Sequence, residues 1–148
     1  MSTAADRGKR AEALVKKKLT SMSAASNCNF YRWPDMRAGV RTAALTDFIV
    51  QRSGKLTLLE VKELSHSFRL PHKNLGLDQI AKARMWKASG AQAHVLINHT
   101  TNSTWRAVDI EWFHVNYTTK SPEGKAVGSW DLSDIALIEF NDYFESWV

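Results

Sequence analysis

Asp47, Glu60 and Lys62 are the residues of this chain whose types and spacing could support chemistry. Residues 56–62 alternate so that Glu60 and Lys62 share one face of a predicted strand, while apolar side chains occupy most of both faces. Such a strand is predicted to be central and buried. A buried carboxylate and a buried ammonium each carry a desolvation cost of several kcal/mol, so this pair requires a compensating partner.

Two kinds of partner would compensate that cost. Glu60 and Lys62 could form an ion pair with each other, or Glu60 could bind a divalent metal ion while Lys62 faces a phosphate. Asp47 favours the metal, because a hairpin would bring it beside Glu60 and adjacent carboxylates repel each other unless a cation lies between them. Mg²⁺ takes oxygen ligands of this kind. A strand-start cap at Asp47 and a structural Glu60–Lys62 ion pair remain the alternatives.

The hairpin that would position these residues is predicted from two β-prone runs. Leu45 to Gln51 and Leu56 to Lys62 are separated by Arg52-Ser53-Gly54-Lys55, in which the glycine is available for a positive φ. A central strand and its hairpin partner would then hold Asp47 and Glu60 side by side.

Periodicity and turn residues predict the other elements. The predicted helices are Thr3 to about Met22, Leu75 to Ser89 with Gly90 as its stop, and a short helix capped by Asp109 and running toward His114. The predicted strands are Phe30 to Trp33, Ala93 to Asn98 and Thr104 to Val108. Their buried stripes are expected to contain Leu14, Val15 and Leu19 in the first helix, and Leu75, Ile80, Ala83 and Trp86 in the second. The order indicates an α/β or α+β sheet flanked by helices.

The 148 residues are enough for one core, so we expect a single domain over 1–148, with an acidic extension of about 109–148 packed on it. Cys28 is the only cysteine, which predicts neither a disulfide nor a structural zinc site. The sequence predicts no membrane span and no signal peptide. We therefore expect a cytoplasmic protein of a bacterium, an archaeon or a phage-infected host cell.

Charge is distributed unevenly along the chain. Residues 1–108 carry 18 Lys or Arg against 7 Asp or Glu, whereas residues 109–148 carry 2 against 8, so the two parts have net charges of +11 and −6. A basic surface suits a polyanionic partner, because each neutralised phosphate releases counterions. A solvated basic face is the alternative reading.

Three short motifs resemble those of known nucleases. Thr46-Asp47-Phe48 followed by Glu60-Val61-Lys62 is similar to the motif of PD-(D/E)xK nucleases, with Thr46 in place of the usual proline. The run 7–12, Arg-Gly-Lys-Arg-Ala-Glu, resembles the opening of the first helix in RecU-like and archaeal Holliday junction resolvases. Asp78-Gln79, and the run 67–71 before it, resemble the RecU arrangement.

The resemblance implies a restriction-endonuclease-like α/β core, in which helices flank a central mixed sheet. It implies Mg²⁺, replaceable by Mn²⁺, held by four groups: Asp47, Glu60, the Val61 carbonyl and Glu12. Lys62 would orient the attacking water and offset charge on the phosphate, and Gln79 would position water or Lys62. Glu12 could instead be an exposed residue paired with Lys16, and Gln79 a solvated helix residue.

The expected substrate is branched DNA, most of all the four-way junction, cut by paired nicks. Two-fold symmetry of that junction calls for two active sites, and hence for a homodimer. The residues expected to contact DNA are Arg7, Lys9, Arg10 and Lys16 of the first helix and Arg37 and Arg41 before Asp47. The alternatives are a PD-(D/E)xK endonuclease with another target in restriction, repair or replication-fork processing, a non-catalytic DNA-binding module, and an RNA-directed protein.

Overall fold

The computed structural model describes residues 4–25, 28–32, 46–65 and 67–146. The helices are α1 (Ala4–Ala25), α2 (Leu77–Ala88), α3 (Ile110–Val115) and α4 (Phe140–Glu145). The strands are β1 (Cys28–Arg32), β2 (Phe48–Arg52), β3 (Lys55–Leu64), β4 (Arg69–Pro71), β5 (Gln92–His99), β6 (Thr104–Asp109) and β7 (Ser129–Asp131). None of the helices in these ranges combines the length and the apolarity needed to cross a membrane.

Five strands form one mixed sheet in the order β1-β2-β3-β5-β6. β3 is the middle strand; it pairs antiparallel with β2 and parallel with β5, and α2 lies in the connection between the two parallel strands. A parallel pair needs such a crossover, whereas an antiparallel pair needs only a tight turn. The predicted fold class, a mixed sheet flanked by helices, is confirmed.

The predicted hairpin is β2–β3, and its turn follows from two residues. Ser53 and Gly54 have φ angles of 51° and 81°. Positive φ at both central residues is the conformation whose twist matches a two-residue hairpin, and glycine adopts it without steric cost. The resulting register places Phe48 opposite Leu59 and Arg52 opposite Lys55.

β3 separates two hydrophobic cores, because its side chains alternate between the faces of the sheet. On the face covered by α2, Leu58 and Leu64 pack with Ile80 and Phe113. On the opposite face, buried residues of β3 pack with α1 and α4; they include Leu59, Val61, Val15 and Phe144. The prediction of a central, buried strand is confirmed, and Glu60 lies within it at 7% exposure.

α1 departs from the prediction at its C-terminal end and in its buried stripe. It continues to Ala25, three residues beyond the predicted end. Val15 and Leu19 are buried as expected, but Leu14 is 51% exposed, and Ala11 is buried instead. The buried positions 11, 15 and 19 are four residues apart, a spacing that keeps one stripe of a helix against the sheet.

α2 ends as predicted, but its predicted stripe is partly wrong. Gly90 has a φ of 108° just past the helix, as expected for a glycine stop. Ile80 and Ala83 are buried, whereas Trp86 is 39% exposed and does not belong to the core. Leu75 lies before the first residue of α2 and is also buried, so Trp86 is the one predicted position that fails.

The acidic C-terminal region packs on both faces of the sheet. Asp109 accepts a hydrogen bond from the backbone N–H of Glu111 at 2.8 Å, which confirms the predicted cap of α3. Trp130 and Leu132 join the core on the α2 side, and α4 joins the other. The small sheet that pairs β4 with β7 was not predicted, because strands of three residues have no usable periodicity.

Candidate active site

The hairpin brings Asp47 to the C-terminal half of β3. Asp47 lies one residue before β2, and its Oδ2 accepts a hydrogen bond from the backbone N–H of Val61 at 2.7 Å. The N–H and C=O of one strand residue face the same neighbouring strand. The Val61 carbonyl therefore faces the side on which Asp47 lies. A backbone oxygen must face this side to bind the same metal ion as Asp47.

Glu60 is held from two directions. Gln79, in the first turn of α2, donates a hydrogen bond from Nε2 to Glu60 Oε2. Lys62 Nζ lies 3.8 Å from Glu60 Oε1, and its side chain is 26% exposed. Lys62 therefore pairs with a buried carboxylate while part of it remains accessible to solvent. Gln79 thus contacts Glu60 directly, and the role implied by the resemblance, positioning water or Lys62, stays a prediction.

α1 contributes Glu12 to the same site. Hydrogen bonding links the carboxyl groups of Glu12 and Asp47, and Glu12 Oε2 accepts a hydrogen bond from Arg32 Nη2 at 3.0 Å. Arg32 was not predicted as a site residue, and its one signal is a basic residue on the last position of a short strand. The structure thus pairs Glu12 with Arg32, twenty residues away, rather than with Lys16.

Asp47 and Glu12 both have a raised affinity for protons. Burial, and then the negative charge of Glu60, raise the pKa of Asp47 from 3.8 to about 7. Burial, and then hydrogen bonding and repulsion by Asp47, raise the pKa of Glu12 from 4.5 to about 7, against the opposing effect of Arg32. Near neutral pH the Asp47–Glu12 pair therefore holds a proton that a cation could displace.

The oxygen-rich donor set fits a hard divalent cation better than a thiophilic one. Within the described ranges no group of three or more His, Cys, Asp or Glu side chains forms a complete metal-binding cluster. Asp47 and Glu60 with a backbone carbonyl make up a partial set, which is the arrangement typical of Mg²⁺ sites that also use water and substrate phosphate. The observation that supports a cation here is the donor set itself, in which Asp47 lies beside Glu12 and Glu60 with few opposing charges.

The basic residues expected to contact DNA are only partly placed. Arg7 and Lys9 lie in the N-terminal half of α1, and Arg10 and Lys16 of the same helix are exposed. Arg37 and Arg41 lie outside the described residues, as does Trp33, the predicted last residue of the strand that begins at Phe30.

Structural comparison identifies a similar protein of known type. No protein-family profile and no curated protein matches the sequence. Among solved structures, Hjc of Archaeoglobus fulgidus, a Holliday junction resolvase from an archaeal hyperthermophile, superposes with a TM-score of 0.58. The match covers 96% of this chain and 98% of Hjc, at 17% sequence identity. The chain has the fold of a Holliday junction resolvase. The resemblance read from the sequence is therefore confirmed at the level of the fold, over nearly the whole length of both chains.

Proposed function

We propose that this protein is a Mg²⁺-dependent, structure-selective DNA endonuclease, a Holliday junction resolvase that makes paired nicks in branched DNA. The observation that carries the proposal is that Asp47, just before β2, meets Glu60 and Lys62 of the middle strand β3 in a resolvase fold, with Glu12 beside them. The β2–β3 hairpin and α1, which are distant in sequence, supply these groups, and a structural ion pair between Glu60 and Lys62 alone would not require the additional carboxylates.

The proposed metal ligands are Asp47, Glu60 and the Val61 carbonyl, with Glu12 binding directly or through water. When bound, Mg²⁺ or Mn²⁺ would lower the pKa of a water molecule and stabilise charge on the leaving oxygen. The residues must first give up the proton held between Asp47 and Glu12. Arg32 and the Val61 N–H favour that loss, because both hydrogen-bond to the charged form of a carboxylate.

Lys62 is the proposed catalytic cation. Its position 3.8 Å from Glu60 keeps the ammonium near the carboxylates, and its partial exposure allows it to meet a phosphate oxygen. There it would orient the attacking water and offset the negative charge that develops on phosphorus, which is most effective where the cation is held in place before the reaction.

Gln79 and Arg32 are proposed as positioning residues. Gln79 fixes one oxygen of Glu60, and Arg32 fixes one oxygen of Glu12. Outer contacts of this kind orient ligands and raise their affinity for the metal.

Branched DNA is proposed as the substrate because the similar structure is a Holliday junction resolvase. A homodimer is proposed because nicks related by two-fold symmetry require two active sites. The basic side chains of α1 and residues 37 and 41 are proposed to contact phosphates, which would make binding weaken steeply as salt increases.

The test is cleavage of end-labelled four-way junction, linear duplex and single strand in Mg²⁺, with the cuts mapped. We expect symmetric nicks near the branch point from the wild type and from Lys125→Ala, an exposed-lysine control, and none from Lys62→Ala. Cleavage of linear duplex instead would support nuclease activity but contradict branched DNA as the substrate. DNA binding without any Lys62-dependent cleavage would favour a non-catalytic DNA-binding module, and preference for RNA would favour the RNA-directed alternative.

A further inference from the structure

A second group of polar side chains surrounds a cavity at the C-terminal ends of β3 and β5, apart from the carboxylates. The cavity has a volume of about 220 Å³. Its lining consists of Ser65, Ser67, Phe68, His99, Thr101 and Asn102. Because a water molecule occupies about 30 Å³ in the liquid, the space is sufficient for a small organic group.

A buried cation lies next to this cavity. Arg106 is 6% exposed; its Nε donates to the Ile135 carbonyl at 2.8 Å, and its Nη1 donates to His99 Nε2 at 2.7 Å. Its guanidinium carbon lies 5.2 Å from the centre of the Phe68 ring. Of the acidic residues that the structure describes, none forms an ion pair with Arg106. Neutral groups and an aromatic ring therefore compensate its charge.

The contact with Arg106 determines the protonation of His99. A guanidinium only donates hydrogen bonds, so His99 Nε2 accepts and the ring proton lies on Nδ1. Burial, and then the positive charge of Arg106, lower the pKa of His99, so the imidazole is neutral at pH 7. A neutral ring with a defined tautomer thus forms part of the cavity wall and offers an N–H donor.

Phe68 is held in place and yet exposed. The backbone N–H of Leu132 donates to the Phe68 carbonyl at 2.8 Å, and the Ser67 hydroxyl accepts from the Arg69 N–H at 2.9 Å. The Phe68 ring packs against His99, with 5.9 Å between centroids, and 54% of the residue remains exposed. An aromatic ring backed by a buried cation and open to solvent is a surface on which a planar group could stack.

We propose that this cavity, the Phe68 site, receives one unpaired nucleobase of the DNA substrate. The base stacks on Phe68, and its acceptor atoms meet the donors of His99 and Asn102. The Asn102 amide oxygen accepts a hydrogen bond from Thr104 Oγ1 at 2.7 Å, which leaves the amide N–H groups for a ligand. Aromatic rings recognise unstacked bases by this combination of stacking and edge contacts. The inference depends on the proposed function only in taking DNA as the ligand.

The position of the Phe68 site suits a branched substrate. Ser65 follows Lys62 by three residues, which is roughly 10 Å along a strand at ~3.3 Å per residue. That distance corresponds to about three base steps of DNA at ~3.4 Å each. A base near a branch point could therefore enter the site while a nearby phosphate lies at Lys62, whereas the bases of an intact duplex are stacked and paired.

The test measures DNA affinity in EDTA, so that binding is separated from cleavage. The probes are a forked DNA with unpaired bases beside the branch, the same fork with abasic sites at those positions, and a linear duplex. The proteins are the wild type, Phe68→Leu, Phe68→Trp, and Trp86→Leu as a control for loss of an exposed aromatic residue elsewhere.

We expect Phe68→Leu to weaken binding of the fork by about 5- to 100-fold, the range that stacking of one base provides. Phe68→Trp and Trp86→Leu should bind as the wild type does, and duplex binding should be the same for all four proteins. The wild type should bind the abasic fork more weakly than the intact fork. Phe68→Leu should bind the two forks equally well. This loss of effect shows that the base and the ring act on each other.

Equal binding of intact and abasic forks by the wild type would overturn the proposal without any variant whose folding must be checked. Weaker binding by Phe68→Leu of intact and abasic forks alike would also overturn it, because a phosphate would then be the ligand. Lys62-dependent cleavage without coupling between Phe68 and the base would refute the Phe68 site but support the proposed nuclease activity. Coupling between Phe68 and the base without cleavage would refute the proposed nuclease activity but support the Phe68 site.

Discussion

Two groups of charged side chains lie at the same end of the sheet, carry opposite charges and compensate them differently. The carboxylate cluster consists of Asp47, Glu60 and Glu12. The Arg106 cluster consists of Arg106, His99 and Phe68. Asp47 and Glu12 have pKa values raised to about 7, so their charge is reduced by proton binding. Arg106 cannot lose its proton, and a backbone carbonyl, an imidazole and an aromatic ring surround it instead. The two groups therefore differ in which charge can vary: the carboxylates can gain or lose a proton, whereas the guanidinium stays charged and is compensated by fixed neighbours.

The largest expected effect is a loss of cleavage when the carboxylate cluster is changed. Asp47→Asn should lower the cleavage rate more than about 100-fold, because loss of outer partners alone typically costs ~10- to 100-fold and Asp47 is a proposed direct ligand. Glu123→Gln, which changes an exposed carboxylate, should cleave normally. Single-turnover rates in Mg²⁺ provide the measurement, and a rate within threefold of wild type, roughly 0.7 kcal/mol, would remove Asp47 from the site.

The pH dependence of stability should distinguish the two clusters next. A carboxyl group whose pKa is raised on folding favours the folded state while protonated, and this contribution is lost as pH rises from its unfolded to its folded pKa. Without divalent cations, the wild type should therefore lose stability relative to Asp47→Asn between about pH 4 and pH 7, by on the order of a few kcal/mol.

Urea unfolding of both proteins across this pH range, in EDTA and in Mg²⁺, checks the expectation. Above pH 7, Mg²⁺ should stabilise the wild type more than Asp47→Asn, because only the wild type retains the Asp47 carboxylate beside that of Glu60. Parallel pH curves for the two proteins in EDTA would show that Asp47 is ionised without penalty.

Removing the charge of Arg106 should act on stability in a different way. Arg106→Met loses two hydrogen bonds and leaves the Ile135 carbonyl and His99 without their donor, at a cost of about 1–3 kcal/mol. The cost should be the same with and without Mg²⁺. Arg69→Met provides the control, because its ion pair with Asp131 is exposed and contributes less than about 1 kcal/mol. A Mg²⁺-dependent cost for Arg106→Met would connect the two clusters.

The smallest expected effect concerns the support of Glu60. Gln79→Leu removes the donor to Glu60 Oε2 and should raise the Mg²⁺ concentration for half-maximal cleavage about tenfold. Lys82→Ala, on an exposed part of the same helix, should leave that concentration unchanged. An unchanged Mg²⁺ requirement in Gln79→Leu would show that the hydrogen bond to Glu60 does not tune metal affinity.

Local sequence predicted the part of the site that depends on a single hairpin. The Ser53-Gly54 turn, the alternation of β3 and the placement of Asp47 near the start of its strand follow from residues close together in the chain. The caps at Asp109 and Gly90 were predictable for the same reason. The resemblance of residues 7–12 to the first helix of resolvases implied that Glu12 belongs to the same site as Asp47.

Predictions that required the phase of a helix or a distant partner were less successful. Leu14 and Trp86 were expected to be buried and are exposed, because helical spacing gives the period of a stripe but not which residues at its borders face the sheet. The pairing of β4 with β7 was not predicted, because the two short strands lie about sixty residues apart in the sequence.

By itself, the sequence determined the middle strand, its hairpin and the residue types gathered there, because these depend on alternation and turn conformation within a short segment. Only the tertiary structure decided that Arg32 binds Glu12, that Gln79 binds Glu60, and that Arg106 lies between His99 and Phe68. These contacts join side chains of separate elements. Their geometry is set by how helices and strands pack on a shared sheet, which no local periodicity encodes.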